Sequence, residues 1–364
     1  PAINAQYIKP GWTTTKEVSV KNNGTLDAYY NVIWQTLTNG ITNDELVLSA
    51  TCQRLNASGT VEGTCDSISQ APISDMTIAK KINIKSGFTH KYTFTILFKE
   101  INANQNYNQG KKFSGVLGIE ETSRFTLDDW NTIVENVKSG NTSMYKVGDT
   151  KEINLGTTYG THTLRVANTS TPSECSTTGF SQSACGFVLE FADIITEHNM
   201  NPTGTYKGTQ YDYGWNVDGW PASSMYAFVN NDIYNALPSE LRSAIIDTVT
   251  VSGHGKNDTK NFTSTDKLYL LSTAEVWAQG SSNTIEYDTA RDVTRQLDYY
   301  KNLGVTTSNY SGDIKKNGTS AGYWWLRSAS SFTNHRFYSV SRTGDWNRAS
   351  AYYTHGVSPA FRIG

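Results

Sequence analysis

Between residues 91 and 98 the chain alternates strictly. Tyr92, Phe94, Ile96 and Phe98 fall on one face, and Thr93, Thr95 and Leu97 on the other. Successive strand side chains point to opposite faces, so this run predicts a strand with one side buried against a second layer. Residues 17–20, 28–34, 45–52, 76–84 and 113–119 supply further strands. The dipeptides Asn23-Gly24, Asn39-Gly40, Ser58-Gly59 and Ser86-Gly87 mark turns between them. No helical period of useful length interrupts residues 1–121, which therefore read as an all-β sandwich.

The pattern changes near residues 120–125, so a second domain is expected over 122–364. Trp130, Ile133, Val134 and Val137 recur at helical spacing, with Thr126 as the N-cap, Asp129 three residues on, and Gly140 at the end. A second helix is expected from Ser223 or Ser224, carrying Met225, Phe228, Val229 and Ile233. Pro238 opens a third through Leu241 and Ile245. Residues 288–303 read as helical again, with Val293, Leu297 and Tyr300 on one face. Short strands are expected at 152–155, 163–166 and 187–191. Two or three helices against short antiparallel strands predict an α+β second domain.

Composition narrows the function. The net charge of −2 leaves no basic excess to seek nucleic acid, and no apolar run reaches membrane-spanning length. The four cysteines form two close pairs, Cys52 with Cys65 and Cys175 with Cys185. Neither pair has metal-ligand spacing, so two local disulfides are expected, with free buried cysteines as the alternative. Disulfides and a Thr-, Asn- and Tyr-rich composition suit an exported protein, with an export or anchoring segment expected ahead of Pro1. The six histidines, at 90, 162, 198, 254, 335 and 355, are dispersed, and Ser252-Gly253-His254-Gly255 reads as a tight turn. No Gly-x-Ser-x-Gly elbow is present. No cofactor, no metal and no catalysis are therefore expected, although paired carboxylates could still meet in the fold.

Residues 332–355 use a restricted alphabet, with no Lys, Glu, Gln or Met. Those four types supply 48 of the 364 residues, so about three would be expected in 24 positions. All the basic residues here are Arg or His: His335, Arg336, Arg342, Arg348 and His355. Codons such as AAC, randomised at their first two bases, reach Asn, Tyr, Ser, Thr, His, Arg, Asp and Phe. They never reach Lys, Glu, Gln, Met or Trp. Trp346 is the exception, and its codon holds no adenine. The alphabet therefore fits adenine-directed mutagenesis of an Asn-rich template. Positions open to such descent are Thr333, Asn334, His335, Arg336, Ser339, Ser341, Arg342, Thr343, Asp345, Asn347, Arg348, Ser350, Tyr352, Tyr353, Thr354 and His355. Phe337, Val340, Gly344, Trp346, Ala349 and Ala351 read as scaffold between them. Tyr338, Trp346, Tyr352 and Tyr353 beside these Arg and His residues make the mix that binding surfaces favour, and Trp346 is counted with the ligand-facing set as well.

The flanks are Tyr323-Trp324-Trp325-Leu326-Arg327 and Gly356-Val357-Ser358-Pro359-Ala360-Phe361-Arg362-Ile363. Together with the window they resemble the C-terminal variable region, about 323–364, of proteins diversified by diversity-generating retroelements. The resemblance extends more loosely over 122–364, through Thr163-Leu164-Arg165-Val166-Ala167-Asn168 and the segment from Tyr269 to Trp277. It implies a C-type-lectin-like domain of the kind also found in formylglycine-generating enzymes. The window would then be a displayed surface for an unknown protein or glycan, with Trp324, Trp325, Leu326, Arg327, Phe361 and Arg362 as scaffold. Those enzymes need reactive cysteines near the C-terminus, and here no Cys follows Cys185. Pro10-Gly11-Trp12 with Val18, Val20 and Asn22-Asn23-Gly24 resembles the opening of immunoglobulin-like modules in Gram-positive surface proteins. The expectation is a non-enzymatic adhesin on a bacterial surface or phage. A surface polysaccharide hydrolase and a structural fibre or pilus subunit are the alternatives.

Overall fold

The computed structural model describes residues 1–278 and 285–364. The chain divides into two compact units, Pro1–Arg124 and Phe125–Gly364.

The first unit is built from two antiparallel sheets. One runs in the order Ala2–Ala5, Phe113–Thr122, Ala28–Asn39, Thr77–Ile84. The other runs Thr13–Lys21, Thr89–Phe98, Leu46–Leu55, Val61–Thr64, with Ile68–Pro72 also pairing Leu46–Leu55. The alternating face of Thr89–Phe98 is buried as its period requires. Tyr92, Phe94, Ile96 and Phe98 lie opposite Cys52, Ala50, Leu48 and Leu46 in register, and all eight join one core with Trp34, Phe113 and Leu117. Val61–Thr64 is exposed along its whole length and shows no apolar period, which is why its sequence does not announce a strand.

The second unit corrects the α+β expectation. The protein is predominantly β, with 39% of residues in strands against 17% in helices, and its helices are too few and short to form a layer of the α+β, C-type-lectin-like kind expected. No regular α-helix among the described residues exceeds the nine residues of Trp130–Lys138. That helix is capped by Asp129, whose carboxylate accepts from Thr132 N at 2.8 Å. Thr126, the expected cap, instead donates its hydroxyl to Thr150 O. Ser223 caps Ser224–Phe228 as its sequence suggests.

The expected helix over 288–303 shrinks to Asp298–Asn302 after a single turn at Arg291–Val293. Tertiary hydrogen bonds outcompete the helical period here. Arg291 donates to Trp277 O, Arg295 to Ala184 O, and Gln296 to both Val276 O and Val305 O. These side chains satisfy carbonyls of distant segments and hold the backbone extended.

Two sheets dominate this unit. One orders Thr150–Asn154, Thr161–Asn168, Val188–Phe191 and Ala360–Arg362. The other orders Thr196–His198, His355–Val357, Trp324–Ala329, Arg336–Val340 and Trp346–Ser350, and therefore carries the strands of the restricted window, whose remaining residues form the turns beside them. Buried charge ties the core. Glu190 takes Arg165, Lys315 and the Tyr300 hydroxyl. Burial alone would raise its carboxyl, but Arg165 and Lys315 hold it down at about 2. Arg327, one of the scaffold residues, is fully buried. It makes a bidentate pair with Glu275, at 2.6 Å to each oxygen, and its other bonds go to Val251 O, Leu270 O and Ser183 Oγ. Its partners are core segments, so its role is to lock the strand that underlies the window.

Candidate ligand-binding surface

Strand alternation sorts the window. Arg336–Val340 pairs with Trp346–Ser350 so that Phe337 faces Ala349, Tyr338 faces Arg348, Ser339 faces Asn347 and Val340 faces Trp346. The expected scaffold is inside: Phe337, Val340 and Ala351 are fully buried, and Ala349 nearly so. Gly344 is required at the turn between the strands. Its φ is +87°, and a Cβ there would lie 2.0 Å from Tyr310 O. Trp324, Trp325, Leu326, Arg327 and Phe361 are also fully buried, while Arg362 is half-buried.

Of the expected ligand-facing residues, Arg342, Thr343, Tyr353 and Thr354 are exposed. Thr333, Asn334, His335, Arg336, Ser341, Asp345, Trp346, Asn347, Arg348, Tyr352 and His355 are half-buried. Ser339 and Ser350 are buried, and so is Tyr338, whose ring joins the core. They are corrected from surface to interior: Tyr338 and Ser339 lie on a strand with neighbours on both sides, and Ser350 ends the edge strand, opposite Arg336. Ser339 lies opposite Trp325 on one side and accepts from Asn347 Nδ2 on the other. Trp346 is intermediate, packed against the core at one edge, which reconciles its double reading as scaffold and surface.

Two aromatic groupings result. In the first, the Arg348 guanidinium lies over three rings, Tyr287, Phe332 and Trp346, at 5.0, 5.4 and 5.5 Å. The second is a row of six rings in contact. Its successive centroid distances are His335–Tyr213 5.6 Å, Tyr213–Tyr352 6.0 Å, Tyr352–Tyr353 4.5 Å, Tyr353–His355 6.1 Å and His355–Tyr323 5.1 Å. Arg342 covers the Tyr323 ring at 5.6 Å. Burial holds the His335 and His355 imidazoles below their ordinary value, with Arg336 reinforcing this at His335. Both are therefore neutral at pH 7.

Sequence reasoning missed Tyr213 and Tyr287, and treated Phe332 only as the edge of the window and Tyr323 only as a flank. Tyr213 is placed by Gly214, whose φ is +70° and whose Cβ would meet Asn201 O at 2.5 Å and Tyr352 N at 2.9 Å. The Asp212-Tyr213-Gly214 triplet is the one local signal that could have marked it.

One cluster with catalytic chemistry lies elsewhere and is enclosed. Ser183 donates to Glu275, which Arg327 neutralises, and all three side chains are fully buried. Such a cluster cannot meet a substrate without unfolding its surroundings. Cys52, Cys65 and His90 bring their ligand atoms together, yet both sulfurs are spent in a disulfide. Cys175 and Cys185 are bonded likewise. Two disulfides mark a chain that matures in an oxidising environment.

A family model described as a domain of unknown function (DUF6273) matches residues 193–364, the segment that carries this surface. No curated protein matches the chain. Solved structures overlap parts of it slightly. The infectious bursal disease virus VP2 subviral particle shares 16% identity over 32% of this chain and 29% of that chain, at a TM-score of 0.20. A protein from Sulfurospirillum deleyianum shares 12% identity over 33% of this chain and 98% of that one, at a TM-score of 0.18. The chain thus spans under a third of the viral protein it overlaps, and function has to be argued from its own surface.

Proposed function

We propose that this protein is a diversified receptor, exported to a bacterial surface or phage particle, whose residues 332–355 form a non-enzymatic binding face. The observation that carries the reading is the match between two independent partitions. Positions open to adenine-directed substitution are exposed or half-buried with two exceptions, Ser339 and Ser350, while of the interleaved scaffold Phe337, Val340, Gly344, Ala349 and Ala351 are buried and Trp346 is half-buried. A receptor altered by random substitution needs this separation, because new side chains must be accepted without loss of the core. The Tyr, His and Arg content adds contact area at low rotamer cost.

The encoding locus tests it. A near-copy of the last forty codons, differing only at adenines and lying beside a reverse transcriptase gene, is the expected finding. A locus with no such copy would reduce the surface to a static binding face.

A further inference from the structure

Buried arginines elsewhere in this unit have acidic partners. Arg165, Arg295 and Arg327, with side chains largely or fully buried, pair with Glu190, Asp298 and Glu275. The three arginines of the window, Arg336, Arg342 and Arg348, form no ion pair among the described residues. Arg336 and Arg348 are nevertheless half-buried, and neither Arg336 Nε nor Arg348 Nη1 has a hydrogen-bond partner. A guanidinium held in this way without an acceptor is costly, and a carboxylate from a partner supplies one.

The surroundings select the kind of anion. Strand register sets Arg348 opposite Tyr338 and Arg336 opposite Ser350. The two arginines are therefore diagonal neighbours on one face of the sheet, which Trp346 shares. Tyr287, Phe332 and Trp346 surround the Arg348 guanidinium, and Phe332 is 55% exposed beside it, its ring 5.0 Å from that of Tyr287. An arginine fixed among aromatic rings, with one ring open to solvent, is the residue mix of an interface hot spot. The window carries three Arg against one Asp in a chain of net charge −2, so its charge favours an acidic ligand. A sulfated or phosphorylated polymer fits less well, because it needs an unbroken run of cations. Here Asp345, Glu286 beside the Tyr287 hydroxyl, and Glu197 beside His355 interrupt the positive surface.

We infer that Arg348, with Arg336 next to it, is a binding site for an Asp or Glu carboxylate on an acidic segment of a protein partner. An apolar side chain adjoining that carboxylate packs on Phe332. The planar guanidinium matches a carboxylate with two parallel hydrogen bonds, which a lysine ammonium does not. This rests on the reading of the window as a binding face, and not on how the window is diversified.

The test is binding of the whole chain to an array of peptides in which Glu or Asp adjoins Leu or Phe. Each is printed beside its Gln or Asn counterpart, with heparin on the same array. Binding to a subset of the acidic peptides is expected, with the amide counterparts about tenfold weaker or silent. Arg348→Lys keeps the charge but loses the planar fork, and should weaken binding about tenfold. Phe332→Ala should weaken it without moving the melting temperature, whereas Lys301→Gln, which removes an exposed charge elsewhere, should do neither. If Arg348→Lys lowers the melting temperature, Phe332→Ala decides. Equal binding of acid and amide peptides, unchanged binding by either folded variant, binding of heparin alone, or no binding at all would each overturn the inference. The peptide result stands whether or not the locus holds a template copy, so the two failures are distinguishable.

Discussion

At the scale of single residues, burial separates two sets of aromatic side chains that look alike in sequence. Trp325 is fully buried, and its indole donates to His198 O at 2.9 Å. Tyr353 is about half exposed. Trp325→Ala should therefore cost about 3–5 kcal/mol, and Tyr353→Ala should stay within about 0.5 kcal/mol. Paired melting curves check this, and comparable losses would mean the window is core. Asp313 makes a pH-dependent case. It is buried beneath the Gly344 turn, and neither carboxylate oxygen accepts a hydrogen bond of good geometry, the Trp277 indole being near but poorly aligned. Burial pushes its carboxyl up to about 8, against an unfolded value of 3.8, although the Trp277 indole and, less strongly, Lys315 pull the other way. Between those values the folded chain binds the extra proton, so stability must fall as pH rises from about 4 through 8. Asp313→Asn should flatten that slope, and melting temperatures at pH 5, 7 and 9 measure it. A slope unchanged by the substitution would show that Asp313 ionises freely.

At the scale of elements, caps and pairings decide which sequence signals become structure. Asp129 starts Trp130–Lys138 by accepting from Thr132 N, and the network around it holds its carboxyl below the usual range. Asp129→Ala should cost about 1 kcal/mol and lower the stability of Trp130–Lys138, whereas Thr126→Ala should leave that helix's cap intact, because the Asp129 carboxylate supplies it. Chemical denaturation of the two variants distinguishes them. The strand signal at 91–98 survives because its burial and its period agree. The helical signal at 288–303 fails because Arg291, Arg295 and Gln296 donate to carbonyls far along the chain, and no sequence period encodes those acceptors.

At the scale of the whole molecule, each unit carries its own core and its own disulfide. The bridges span 13 and 10 residues, so each should contribute about 2–4 kcal/mol by restricting the unfolded chain. Melting under reducing and non-reducing conditions, with non-reducing intact mass showing no free thiol, checks both. Local physics made part of this molecule readable in advance. Alternation gave the strands of the first unit, and close spacing suggested both disulfides. Apolar residues recurring through 337–351 separated the scaffold of the window from its displayed positions, because period and burial are properties of neighbours in sequence. Tertiary structure alone settled the rest. It buried Tyr338 and Ser339 in the middle of a sheet and Ser350 at the end of its edge strand. It directed Arg327 to Glu275 and brought Tyr213 beside Tyr352, more than a hundred residues away in the chain. Those outcomes depend on contacts between distant segments, where a side chain's fate is set by the surface that folds over it and not by its own neighbours.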